Sequence, residues 1–245
     1  MGRLKLTIEF DGTEFSGWQK QKHERTVQGE LEKALTTFTG METEVMGQGR
    51  TDSGVHAKSQ IAHTDLPDSV DTDKILYALH GLLPRDMAVI GVEKVKSDFH
   101  ARFHAISRSY RYQIAGRPVP LNRHTHWLIM HSFNEQYFHE CAEMIKGDHD
   151  FVNFSKIGPD KNEFGTTICN ILVSEWMRSD TGWNYKIKGD RFLRHMVRRL
   201  VGTMILVATG KMERNQFEDL LSGKKTERKG HAAPACGLIL ENVEY

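Results

Sequence analysis

Apolar and polar side chains alternate at the start of the chain, with Leu4, Leu6, Ile8 and Phe10 set against Lys5, Thr7 and Glu9. A period of two predicts a strand with one buried face. After the turn-rich Asp11-Gly12-Thr13 the period changes. Val27, Leu31, Ala34, Leu35 and Phe38 recur at helical spacing, Thr26 stands where an N-cap belongs, and Gly40 where a helix ends. Weaker strands are expected near 43–47 and 59–64, a second helix over about 72–80 with Asp71 or Thr72 as cap and Gly81 and Pro84 as stops, and a Val/Ile-rich strand over 88–95.

The second half yields a similar series. A strand is expected over 109–114, a helix capped by Asn134 ending near 146–147, strands over 167–176 and 183–188, a long helix over 192–209 stopped by Gly210, a short helix over 215–221 and a last strand over 237–243. The polar, glycine-bearing stretch 147–166 reads as a long loop. The order β-α-β-β-α-β twice over predicts an α+β protein of two ferredoxin-like halves, residues 1–105 and 106–245. The repeat lies in the order of elements; the residues themselves do not repeat.

With 245 residues, 39% of them hydrophobic and 27% charged, the chain has the make-up of an ordinary globular protein with ample length for a core. The net charge of +1 means that a nucleic-acid partner has to be argued from local patches. The N-terminus alternates at once and has no apolar signal core, no run reaches the length of a membrane span, and Cys141, Cys169 and Cys236 are scattered and odd in number. These features predict a cytoplasmic location in a reducing compartment. His100 with His104, and His124 with His126, lack a carboxylate or cysteine at ligand spacing, so no metal is expected. No cofactor is expected either, for want of a phosphate-cradling glycine motif, and Gly-x-Ser-x-Gly is absent.

Three segments carry candidate chemistry. In Gly49-Arg50-Thr51-Asp52-Ser53-Gly54-Val55-His56-Ala57, a carboxylate sits on a turn beside an arginine that would hold it ionised, as a nucleophile requires. Read without further context, Asp52 is more simply an aspartate capping its own turn. In Arg108-Ser109-Tyr110-Arg111-Tyr112 the two tyrosines share one strand face, where a ring could stack on a base or fill a core. Placed on a helix, Arg191, Arg194 and Arg198 form a stripe at i, i+3 and i+7. Between Lys186 and Arg199 six Lys or Arg stand against one Asp, the densest basic stretch in the chain. Lys224-Lys225-Thr226-Glu227-Arg228-Lys229 is a second, less specific basic cluster.

These segments resemble the TruA family of tRNA pseudouridine synthases. The likeness rests on the nine-residue Asp52 block, on Arg-x-Tyr-x-Tyr, and on Phe192-Leu193-Arg194-His195-Met196-Val197-Arg198-Arg199-Leu200-Val201-Gly202. It also rests on Phe10-Asp11-Gly12 through Gly17-Trp18-Gln19, and on Ala233-Pro234-Ala235-Cys236-Gly237-Leu238. Gln48 and Ser53 depart from the small residue and the alanine common in the family; neither removes a group the chemistry needs. The resemblance implies the pseudouridine synthase fold, two halves with an active-site cleft between them. It implies isomerisation of uridine to pseudouridine in the anticodon stem-loop of tRNA, with positions 38, 39 and 40 as the expected targets. In that reading Asp52 is the nucleophile, attacking sugar or base, Arg50 and Arg198 keep it charged, and Tyr110 lies against the uracil. Leu238 lines the floor, while Arg191 and Arg194 contact the RNA backbone. A homodimer spanned by one tRNA is implied as well. Trp18 is assigned equally to RNA stacking or to plugging its loop onto the core. The alternatives are a non-catalytic RNA-binding module of ferredoxin-like sheets and, with less support, a nucleoside or glycoside hydrolase, for which no second carboxylate stands out.

Overall fold

The computed structural model describes residues 1–156, 165–224, 226–227 and 229–245. It divides into two compact units, Met1–Ile106 together with Ile239–Tyr245, and Ser107–Leu238.

The first unit contains β1 (Gly2–Phe10), α1 (Val27–Thr39), β2 (Met46–Gly47), β3 (His56–Leu66), α2 (Thr72–Leu82) and β4 (Met87–Val95), in the order read from the sequence. Strand β1 runs antiparallel to both β3 and β4, with Leu6 opposite Ala62 and Val92, and β2 pairs with β3. The resulting order β4-β1-β3-β2 is the split βαβ arrangement. Leu4, Leu6, Ile8 and Phe10 are buried, as their alternation requires. The helix ends follow from their caps. Gly29 N–H donates to Thr26 Oγ1 (3.3 Å), and Gly40, left-handed at φ 70°, donates its N–H to the Thr36 carbonyl (2.9 Å). Asp71 Oδ1 accepts from the N–H groups of Asp73 (2.9 Å) and Lys74 (3.1 Å).

The second unit contains β5 (Ser107–Ala115), β6 (Trp127–Leu128), α3 (Glu135–Met144), β7 (Gly147–Asp150), β8 (Ile168–Ser179), β9 (Gly182–Gly189), α4 (Met196–Ala208) and α5 (Arg214–Leu221). Its strands lie antiparallel in the order β5-β9-β8-β7, with β6 parallel to β5. Phe138 of α3 meets Trp176 and Trp183 edge-on at 4.8 and 4.9 Å, and Tyr185 and Tyr112 are fully buried. The last strand, β10 (Leu238–Glu244), sets Ile239 and Leu240 parallel to His56 and Ala57 of β3. Residues 239–245 therefore group with the first unit, whereas the order of elements along the chain assigns them to the second half.

Two expectations change. The stretch read as a long loop opens with β7, whose His149 lies opposite Cys169 of β8, and continues into buried Phe151, Asn153 and Phe154. Gly-Asp-His-Asp has no strand-forming residue, so β8 imposes this pairing. Residues 157–164 of that stretch, and Lys225 and Arg228 of the second basic cluster, lie outside the described residues. The long helix begins at Met196 and not at 192. Asp190 Oδ1 accepts from the N–H groups of Asn170 (2.9 Å) and Arg191 (2.6 Å), and His195 is left-handed (φ 67°), so the residues between them turn. Among the described residues no helix is long and apolar enough to cross a membrane.

One buried group couples the first unit to pH. His63 of β3 is 7% exposed and its Nδ1 accepts the Ala101 N–H (3.2 Å). Burial, then the charges of Arg3 and His100, push it down to about 4. The unfolded chain takes up this proton near pH 6.5, so the contribution to stability is complete above that pH and is lost as pH falls toward 4. We expect His63→Gln, which keeps an acceptor but does not titrate, to flatten the fall in unfolding free energy between pH 7 and 4 by up to about 3 kcal/mol. Urea unfolding of both proteins across that range measures the difference; equal slopes would refute it.

Candidate active site

The Asp52 loop joins β2 to β3, and its position follows from backbone approaches that only glycine permits. A Cβ on Gly12 would lie 2.0 Å from the Val55 carbonyl oxygen, and one on Gly17 (φ 94°) 2.6 Å from that of Thr51. Trp18 N–H donates to the Thr51 carbonyl (3.2 Å), and Ser53 Oγ (3.2 Å) and Gly54 N–H (3.4 Å) both donate to the Phe15 carbonyl. Val55 N–H closes a turn on the Asp52 carbonyl (3.2 Å), with Gly54 at φ 77° in the position that demands a positive φ. His56 Nδ1 accepts the Gly12 N–H (3.0 Å) and lies 3.1 Å from Asp11 Oδ1. The Phe10-to-Gln19 segment and the Asp52 loop are thus one packed structure. Trp18 is part of it: the indole is 3% exposed and lies where a Cβ on Gly47 would meet it at 2.5 Å. It plugs the loop onto the core and does not present a stacking face.

On the other side of the loop two glutamines take over. Gln48 Nε2 donates to Gln60 Oε1 (3.0 Å), and Gln60 Nε2 donates to the Gly49 carbonyl (2.9 Å). Gln48 is the family departure noted in the sequence. Gln60 carries no such signal, because a polar residue in a strand ordinarily faces solvent, whereas here it is fully buried.

Asp52 itself is half-buried. The expected pairing with Arg50 is not formed. Arg50 is exposed and, among the described residues, its side chain makes no hydrogen bond or ion pair.

In the second unit, Tyr110 of β5 is half-buried, its ring edge-on to Phe192 at 5.1 Å. Tyr112, two residues on, is core: its hydroxyl donates to the Pro234 carbonyl (2.8 Å), and burial holds the phenol above its ordinary range. Arg198 Nε donates to the Ala233 carbonyl (2.9 Å), while the Ala233 N–H returns to the Arg198 carbonyl (2.9 Å). Gly202 allows this approach, since a Cβ there would meet the His231 carbonyl at 2.3 Å. The same segment ends at Leu238, which is buried, after Gly237 has made room for the Tyr112 ring.

The arginine stripe is not a helical face. Arg191 and Arg194 precede α4, and only Arg198 lies on it. The Arg191 guanidinium donates to the carbonyls of Ile168 and Thr166, so it fastens the start of β8. Arg199 donates to the Ser155 carbonyl (2.6 Å), and burial lowers its pKa. Arg194 is exposed. Among the described residues no three His, Cys, Asp or Glu side chains come together as a metal site would require.

Gly12 and Gly49 separate close packing from local freedom. Gly12→Ala is expected to destabilise the protein by about 1–3 kcal/mol through the Val55 clash. Gly49→Ala, with open space around its Cβ, should change stability little. Equal urea midpoints for the two variants would contradict this.

A protein-family model described as tRNA pseudouridine synthase matches residues 6–104 and 141–245. A protein of Bacteroides thetaiotaomicron named tRNA pseudouridine synthase A is 40% identical, over all of this chain and 91% of its own length. The protein of the same name from Bacillus subtilis is 38% identical over 99% of both chains. That from Bacteroides fragilis is 40% identical over 99% of this chain and 96% of its own. The family model covers the Asp52 loop and the Arg198 helix, the likeness to the relatives spans the Tyr110 strand as well, and the chain belongs to the tRNA pseudouridine synthase family.

Proposed function

We propose that this protein isomerises uridine to pseudouridine in the anticodon stem-loop of tRNA, with Asp52 as the nucleophile. The observation that carries the reading is the Asp52 loop. A half-buried carboxylate stands on a turn whose backbone is held by Phe15, Trp18 and Gln60, in a chain of this family. Rigid support of this kind is what a nucleophile needs to meet a reacting atom repeatedly in one geometry.

In the proposed reaction the N1–C1′ bond of the uridine breaks, the uracil turns, and a C5–C1′ bond forms. The C5 proton is lost and N1 gains one, so the product is an isomer and nothing is oxidised or consumed. The target uridine leaves its stack first, at a cost of a few kcal/mol. Tyr110 would hold the uracil and assist removal of the C5 proton; its edge contact with Phe192 fixes the ring for that role. Arg198 would supply positive charge to Asp52, its guanidinium oriented by the bond to Ala233. Leu238 would pack against the base. Arg50 and Arg194, both exposed, would meet phosphates. Arg191 keeps a structural part in this scheme because its guanidinium already serves backbone carbonyls. The resemblance further makes the working form a cytoplasmic homodimer spanned by one tRNA, which the mass of the protein and of its RNA complex in solution would test.

Pseudouridine mapping on an unmodified tRNA tests the chemistry. Wild type is expected to convert anticodon-arm uridines. Asp52→Ala should bind the RNA and convert none, the outcome that separates an enzyme from an RNA-binding module. Conversion by Asp52→Ala would remove Asp52 from the mechanism. Tyr110→Phe, which keeps the ring and loses only the hydroxyl, should lower turnover by about 10²-fold or more if that hydroxyl takes part in proton removal, with RNA affinity unchanged. Turnover equal to wild type would limit Tyr110 to stacking.

A further inference from the structure

Beneath the Asp52 loop lies a polar pair in an otherwise apolar setting. Gln60 is fully buried on β3, opposite Ile8 of β1, and Gln48 is 4% exposed. The main chain at Gln48 is paired without its side chain, since the Gln48 N–H donates to the Ile61 carbonyl (2.8 Å). Each glutamine amide has a donor end and an acceptor end, and here they run in one sense: Gln48 Nε2 to Gln60 Oε1, then Gln60 Nε2 to the Gly49 carbonyl. Turning the Gln60 amide over would set its oxygen against the Gly49 oxygen and its NH2 against that of Gln48. Both bonds would fail together. The Gly49 carbonyl, which can only accept, therefore sets which end of Gln60 faces the loop, and Gln48 meets the oxygen that is left with its donor end. No side chain at Gly49 can pack to hold this stretch of backbone, and the bond from Gln60 holds its carbonyl instead.

We infer that Gln48 and Gln60 are positioning residues for the isomerisation: a two-amide relay that pins the Gly49 carbonyl, and through it the approach of Asp52 to its target. The inference rests on the reading of Asp52 as the nucleophile. It adds to the Phe15 and Trp18 supports a second anchor, on the strand side of the loop, built from a residue this chain has in place of the small one common in the family.

Methionine replaces glutamine at nearly constant volume. Replacing both amides together avoids leaving one glutamine facing the other unmatched but takes the Gln60 donor from the Gly49 carbonyl, so the double variant Gln48→Met with Gln60→Met should melt below the wild type while remaining folded, and its activity is read per folded molecule. Its kcat on a tRNA transcript should fall about 10- to 100-fold, the effect of a misplacement of about 1 Å, with KM and the Kd for the RNA unchanged. Gln48→Met alone should fall by less, since the bond from Gln60 to Gly49 survives in it. A residue that only stabilised the fold would lower the melting temperature and leave kcat per folded molecule as it was. Wild-type kcat in the double variant, or a loss matched by the unfolded fraction, overturns the inference. Conversion by Asp52→Ala under the same conditions would overturn the reading of Asp52 and this inference with it. An inactive Asp52→Ala beside a fully active double variant would overturn the inference alone.

Discussion

Where Gly12 faces Val55 and Gly17 faces Thr51, two stretches of backbone lie so close that no side chain fits between them. That approach makes the loop after β2 and the loop after β1 a single object, joined by the bonds from Trp18, Ser53 and Gly54. Neither loop has regular structure of its own, and each would wander if it were alone. Packed together they acquire the stiffness of a core, and Asp52 inherits it. The outer wall is braced in turn. Arg25 lies over the Phe15 ring at 4.1 Å and grips Asp86 with two bonds of 2.7 and 2.8 Å, which fastens the segment before α1 to the turn before β4. A guanidinium that is both stacked and bidentate is fixed in a way that a lysine could not be.

The second unit uses the same device on different elements. Gly202 lets the chain at His231 and Ala233 lie against α4, and Gly237 lets it pass the Tyr112 ring. The segment leading to Leu238 is then held by Arg198 Nε on one side and by the Tyr112 hydroxyl on the other. Gly12, Gly17, Gly202 and Gly237 are, in both units, places where one stretch of chain is pressed closely onto another. Their value lies in absent atoms: a side chain at any of these four would strike the neighbouring segment.

This explains what the sequence disclosed and what it withheld. The elements of the first unit were legible because their signals are local: the alternation of β1, Thr26 and Gly40 around α1, Asp71 before α2. Strand β7 was not, because Gly-Asp-His-Asp takes its conformation from β8. The start of α4 was misplaced because charges at helical spacing continue back to Arg191, while the Asp190 turn and the left-handed His195 forbid the helix there. The last strand is legible as a strand, but nothing in its residues tells that it will pair with β3. Within the candidate site, Asp52 was conspicuous as a charged residue in a named motif. Gln48 stood out only as a departure from the family, and Gln60 and the close approaches of Gly12 and Gly17 gave no signal, because their contribution exists only once the chain has folded.

Charge patterning counts cations without showing which of them are bonded within the protein. The stretch from Lys186 to Arg199 looks like an RNA-binding stripe when counted, yet its arginines are mostly committed within the protein. Arg191 holds the start of β8, Arg198 holds Ala233, and Arg199 reaches the Ser155 carbonyl. Arg108, elsewhere in the same unit, likewise donates to the Asp190 carbonyl at 2.8 Å. A guanidinium bonded to a carbonyl keeps its charge, so these groups still set a positive potential, but they have lost the freedom to follow a phosphate. Arg50 and Arg194, both exposed, retain it. With a net charge of only +1 there is no general excess to draw RNA in. Attraction must come from the local field of buried and half-buried arginines, and contact from the few cations that remain mobile. The arginines that shape the fold and those that would grip the RNA thus share the electrostatic work between them. The first fix where the field is, and the second follow the ligand within it.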